Sequence, residues 1–159
     1  MELQEFADKT RVALAEGDVE LANKLEKIAK NKNDPYYYSC LGWMYRPTEK
    51  GAIDYEINKQ EKGRLLSATY ETSKWLDNIE NHIKLQDGVS SDYFFKLALS
   101  GFIKLAKDNK DNDAMSVLSD MYFYGYGTKI DKEQAKYWQD QCYLIKTGLT
   151  FDEWKKKNA

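Results

Sequence analysis

Leu25-Glu-Lys-Ile-Ala-Lys-Asn-Lys-Asn-Asp34-Pro-Tyr-Tyr-Tyr-Ser-Cys-Leu-Gly-Trp-Met-Tyr45 is echoed 77 positions later by Phe102-Ile-Lys-Leu-Ala-Lys-Asp-Asn-Lys-Asp111-Asn-Asp-Ala-Met-Ser-Val-Leu-Ser-Asp-Met-Tyr122. Lys27 pairs with Lys104, Ala29 with Ala106, Lys30 with Lys107 and Asp34 with Asp111. Leu41 pairs with Leu118, and Met44-Tyr45 with Met121-Tyr122. Each copy ends a lysine-bearing helix, crosses a polar Asn/Asp turn and opens a second helix with a Leu-x-x-Met-Tyr face. A repeat built from helix pairs points to a surface for holding another protein, not to a pocket for chemistry.

Further helix signals flank the two copies. Leu3, Phe6, Thr10, Val12, Ala13 and Leu14 predict a first helix stopped at Glu16-Gly17. Asp18 can cap a second, in which Leu21, Leu25, Ile28 and Ala29 recur at spacings of three and four. Asn31-Lys-Asn33 breaks it. Asp34-Pro35 places a cap and a first-turn proline before a helix that runs to Tyr45 and ends at Arg46-Pro47. Residues 46–60 show no clear period. Leu65, Thr69, Thr72, Leu76, Ile79 and Ile83 form one continuous face of a long helix. Asp87-Gly88 makes a turn, Ser90 or Ser91 caps the next helix, and Tyr93 to Ala106 is apolar nearly all round, as expected of a central, buried element. A helix starting at Asp111–Asp113 ends at Tyr124-Gly125-Tyr126-Gly127. Asp131 with Gln134 opens another in capping-box style, burying Ala135, Trp138, Cys142 and Ile145. Thr150 and Glu153 form a further capping box for a short terminal helix with Phe151 and Trp154. The class is all-α.

Composition agrees. The chain has 159 residues, enough for one domain with a real core, and only two prolines and nine glycines. Its formal net charge of −2, with mixed signs, leaves no basic field for nucleic acid. Lys155-Lys-Lys157 is read as helix-end complementation. No stretch reaches the roughly 18 apolar residues of a membrane span, and the first residues lack a signal pattern. Cys40 and Cys142 stand far apart without a C-x-x-C, as small core residues of a reducing compartment. A cytoplasmic location is expected.

Ala114-x3-Leu118-Ser119-x2-Tyr122-x2-Gly125-x-Gly127-Thr128-x2-Asp131-x2-Gln134-Ala135-x2-Trp138 resembles the Sel-one-like repeat, a relative of the tetratricopeptide repeat. Ser119 stands where that pattern has its first Gly, Thr128 where it has Val, and Gln134 where it has Lys. In such repeats Ala and Leu let antiparallel helices approach, and Tyr and Trp fill the wedge between pairs. The two glycines permit a reversal at positive φ, and Asp caps the returning helix. In the first copy Leu41, Gly42 and Tyr45 fit, Tyr37 replaces the small Ala114, and the Gly-x-Gly turn is missing. If Trp75 answers to Trp138, the first repeat carries about 14 extra residues in its loop. The resemblance implies a short α-solenoid of two Sel-one-like helix pairs with extra terminal helices, forming one domain over 1–159. The first repeat spans 18–85 with an insertion near 46–60, the second 91–146, and a C-terminal helix 150–157.

Chemistry finds no foothold in the sequence. His82 is the only histidine, with no nucleophile motif beside it. One His and two separated Cys make no metal constellation. Gly125-x-Gly127 follows a helix, unlike a phosphate loop. Asp108, Asp111 and Asp113 lack the glycine and terminal Glu of a calcium loop. No catalytic residue, cofactor or metal is expected.

Aromatics are the unusual resource, at 14% of residues. Tyr45, Trp75, Tyr122 and Trp138 fall at core positions of the repeat. With Tyr37, Leu41 and Tyr45 facing inward, Tyr36 and Trp43 turn to a flank. Tyr and Trp bury large areas with few rotatable bonds and concentrate at interface centres. Candidate partner-binding residues are therefore Tyr36, Trp43, Arg46, Tyr55, Asp120, Tyr124 and Tyr126. The expected partner is a protein, bound by a cytoplasmic inhibitor such as a bacterial toxin-immunity protein. An adaptor or regulatory subunit of a larger complex is the first alternative. An enzyme or small-ligand binder with a site near His82 and residues 46–60 is the second.

Overall fold

Apolar residues recur every three or four positions through most of the chain, and helices follow from that period. A computed structural model describes residues 1–47 and 83–159. Among these, seven helices have both ends defined, and there is no strand. In chain order they are α1 (Leu3–Glu16), α2 (Val19–Lys32), α3 (Pro35–Tyr45), α4 (Gly88–Asp108), α5 (Asn112–Tyr124), α6 (Lys132–Thr147) and α7 (Phe151–Lys157). No helix among the described residues is long and apolar enough to cross a membrane.

Four helices begin in the same way: Asp111 caps α5 and donates its backbone N–H to the Leu105 carbonyl at 3.3 Å, and the other three also share one pattern of burial. Asp18, Asp87 and Asp131 cap α2, α4 and α6, their carboxylates accepting from backbone N–H groups of the first turn. Each Asp also donates its own backbone N–H to a carbonyl near the end of an earlier helix. Asp18 reaches Ala13 at 2.9 Å, Asp87 reaches Tyr45 at 2.9 Å and Asp131 reaches Tyr122 at 2.8 Å. Four, seven and eleven residues after each cap the side chain is buried, which is the period of one helix face. The sets are Ala22, Leu25, Ala29; Ser91, Phe94, Ala98; and Ala135, Trp138, Cys142. Counted from the capping Asp, the residue matching Trp138 is Phe94. Trp75, suggested from sequence for that role, lies outside the described residues. The capping Asp follows Tyr122 by nine positions and Tyr45 by 42.

Packing follows this frame: α3 lies along α4, α5 along α6, α1 on α3, α4 on α5, and α7 on α6. Glycines set the closest approach. A Cβ on Gly42 would sit 2.6 Å from the Phe95 ring, and one on Gly101 would sit 2.7 Å from Pro35. The Ser91 hydroxyl donates to the Gly42 carbonyl at 2.7 Å, and that of Ser119 to the Ala135 carbonyl at 2.8 Å, pinning one helix of each pair to the other. Phe6, Leu25, Leu41, Met44, Phe102 and Leu118 are the largest fully buried side chains. Each contributes about 1.5–3 kcal/mol by leaving water.

Several expectations need correction. α4 starts at Gly88, capped by Asp87, which accepts from Val89 and Ser90 N–H at 3.1 Å each. Neither Ser90 nor Ser91 is the cap; Ser91 faces inward and is committed to Gly42. α4 is central but not buried all round, since Tyr93 is exposed. Ile145 is 48% exposed: it lies beyond the Ala135–Trp138–Cys142 stripe that meets α5. At Asp131 only half of a capping box forms, because its backbone N–H is taken by Tyr122. The complete box is at Thr150 and Glu153. Cys40 is half-buried, whereas Cys142 is buried. Tyr55, His82, most of the 46–60 stretch and most of the helix expected over 65–83 lie outside the described residues; Ile83, the last residue of its expected face, is helical but 45% exposed.

Candidate aromatic–arginine surface

α3 ends at Tyr45 because Pro47 pushes Arg46 into extended backbone, with φ −61° and ψ 124°. That turn brings the Arg46 side chain back over the last turn of its own helix. Its guanidinium lies 5.2 Å from the ring centre of Trp43 and 5.2 Å from that of Tyr126. Contacts of this type contribute roughly 0.5–1 kcal/mol at exposed sites.

Tyr126 arrives from the turn between α5 and α6. Gly125 and Gly127 there adopt φ +79° and +71°, values that L side chains resist. Gly127 also lies against the backbone of α4, where a Cβ would sit 2.6 Å from the Phe95 carbonyl carbon. The Tyr126 ring is thereby laid on Phe95, at 5.3 Å and nearly parallel, and edge-on to Trp43 at 4.8 Å. Trp43 also meets Phe95 edge-on at 5.6 Å. Tyr124 stacks on Tyr126 at 5.7 Å, and Phe123 meets Tyr124 at 4.9 Å. The Lys132 ammonium lies over Phe123 at 5.9 Å.

Buried Phe95 is thus the floor, and Trp43, Tyr126, Tyr124 and Phe123 form a connected path of rings above it. Trp43 is 47% exposed and Tyr124 57% exposed. Arg46 sits over the Trp43–Tyr126 pair, and Lys132 over Phe123 at the far end. Asp120 is exposed on α5 and lines the adjoining hollow with Phe123, Tyr124, Lys132 and Phe151. Four of the residues singled out from sequence therefore converge, and Asp120 borders them.

Tyr36 does not join them. It packs edge-on against Phe102 at 4.8 Å, at the start of α3. Burial, then the nearby Asp111, Asp113 and Asp34 carboxylates, push its hydroxyl up to about 12. Phe95, Phe123 and Lys132 were missed by sequence reasoning. Phe123 could have been found from its place beside Tyr124 at the helix end, whereas nothing local distinguishes Phe95 from its neighbour Phe94. Among the described residues no group of three or more His, Cys, Asp or Glu could hold a metal ion. Burial pushes the Cys40 thiol up, which works against a nucleophilic thiolate.

Compared with known proteins, the chain matches no family model, no protein of described function and no solved structure.

Proposed function

We propose that this chain is a protein-interaction module, a short α-solenoid of Sel-one-like helix pairs that binds one dedicated protein partner through the Trp43–Arg46–Tyr124–Tyr126 surface. One observation carries this reading: Arg46 holds Trp43 and the partly buried Tyr126 of a different helix pair together, while Trp43 and the adjoining Tyr124 are left about half open to water. Exposed Trp, Tyr and Arg in a preorganised cluster are the residue types that dominate binding energy at protein interfaces. Ordering them in advance lowers the entropy cost of association. The recurring Asp-capped helix pairs support the solenoid part of the reading. A cytoplasmic inhibitor of an enzyme or toxin is its narrower form.

The test is affinity capture of the tagged protein from its native lysate, beside Trp43→Ala and Tyr124→Ala variants whose melting temperatures are checked. One stoichiometric partner, bound at least about 30-fold more weakly by both variants, is the expected result. Equal capture by folded variants would refute the assignment of this surface. Assaying the partner's activity with and without the bound chain then decides the inhibitor form.

A further inference from the structure

α7 is held differently from the other helices. None of its residues is buried, and the core, with the half-buried side chains packed against it, includes nothing beyond Cys142. Phe151 and Trp154 instead form a small separate cluster with Tyr143 of α6, at ring-centre distances of 5.0 and 5.4 Å. Beside it the Phe151 N–H donates to the Asp140 carboxylate at 3.2 Å. Asp152 meets the Lys136 ammonium at 3.4 Å, both side chains being more than half exposed, and such a surface pair contributes little. Seven residues also fall short of the roughly 12–15 at which an isolated helix becomes marginal, even with the complete capping box at Thr150 and Glu153. The reversal leading into α7 is open, since a Cβ on Gly148 would meet nothing within 4 Å.

Segments with few buried apolar contacts open locally while the core stays folded. We infer that α7 is a strap that opens and closes on α6 as a unit while α1–α6 stay folded, and that it closes on an apolar side chain seated in the hollow beside Tyr124. Phe151 and Asp152 line that hollow together with Phe123 and Tyr124 of α5 and Gln139 of α6. A side chain placed there touches docked α7 and loses those contacts when α7 leaves, so occupancy favours the closed state. That the strap thereby regulates partner docking rests on the interaction-module reading above.

The test is amide hydrogen exchange of the intact protein, resolved residue by residue. The Trp154 and Asn158 amides donate to the Thr150 and Trp154 carbonyls. Relative to their intrinsic rates they should exchange at least about 100-fold faster than the amide of buried Phe102 in α4, and with little dependence on urea below the unfolding midpoint. Trp154→Ala should speed the Asn158 amide about twofold to tenfold and leave Phe102 unchanged, because it removes the ring pair with Tyr143. Protection of α7 equal to that of α4 overturns the strap. Gln139→Leu and Gln139→Phe supply a tethered apolar occupant of the hollow and should slow α7 exchange about twofold to tenfold. Exchange that is unchanged or faster in both variants overturns closure on an occupant and leaves an independently opening helix. These measurements use no partner, so their failure is distinct from a failure of the interaction-module reading, which partner capture decides.

Discussion

Replacing Gly127 by Ala separates two reasons a glycine can be needed, because the chain supplies its own controls. Gly125, Gly127 and Gly148 share φ values between +71° and +79°. An L residue there costs about 1–2 kcal/mol in backbone strain alone. What the added Cβ would meet differs. At Gly148 nothing lies within 4 Å, so Gly148→Ala should cost only the strain, about 1 kcal/mol. At Gly125 the nearest atom is Ile130 Cγ1 at 3.0 Å, the end of a side chain that can swing aside. At Gly127 the Cβ would sit 2.6, 2.7 and 2.8 Å from the Phe95 carbonyl carbon, its oxygen and the Lys96 nitrogen. These are backbone atoms of α4, so the turn must lift away, adding about 1–3 kcal/mol of overpacking. Gly127→Ala should therefore lose about 2–5 kcal/mol, centred on about 3.5. For a chain of this length that lowers the melting temperature by about 10 °C, against about 3 °C for Gly148→Ala. Urea and thermal denaturation of the three variants measure the order, Gly127 worst, Gly125 between and Gly148 mildest. Equal losses at Gly127 and Gly148 would refute the close-approach argument and leave only φ.

Tyr45 donates its hydroxyl to a Glu26 carboxylate oxygen at 2.6 Å, and Tyr45→Phe should cost about 1.5–3 kcal/mol by denaturant midpoint. Burial first, then the Glu26 carboxylate, raises the Tyr45 pKa. Its share of stability is thus complete below the unfolded value near 10.0 and lost as pH rises through the folded one, so Tyr45→Phe should flatten the alkaline limb of the stability curve. Asp87 has the opposite sign. The Ser90 N–H, the Ser90 hydroxyl and the Val89 N–H hold its carboxyl below the usual 3.8, so its contribution is complete above that pH and fades as pH falls through the folded value. Asp87→Asn should remove that acid dependence, read by urea midpoints between pH 5 and 2. Tyr36→Ala should lower the melting temperature, because it strips the edge contact with Phe102, and leave partner capture near wild type.

Much of the helical framework was legible in the sequence because its determinants are local. Asp18, Asp34, Asp111, Asp131 and Thr150 each cap where an Asp or Thr precedes a periodic apolar run, and Gly125 reverses the chain where a glycine ends one. The start of α4 misled because four residues of capping type, Asp87, Ser90, Ser91 and Asp92, crowd one stretch. Only tertiary contact shows that Ser91 belongs to Gly42. Trp43, Tyr124 and Tyr126 could be picked out as aromatics left over from the core pattern. Their meeting could not, because it depends on Gly127 resting on the α4 backbone and on Phe95 filling the space opened by Gly42. Neither contact leaves a periodic trace.

The bond from a capping Asp to the end of an earlier helix has a consequence for the length of the connection it closes. Tyr45 with Asp87, and Tyr122 with Asp131, close the same bond over connections of 42 and nine positions. Closing the longer one costs only about 1.4 kcal/mol more for an unrestrained chain, since closure entropy grows with the logarithm of length. A clamp of one N–H, one carbonyl and one carboxylate thus makes the register of two helices independent of what is spliced between them. By the same arithmetic, each doubling of a connection closed by this clamp adds only about 0.6 kcal/mol to the cost of closing it.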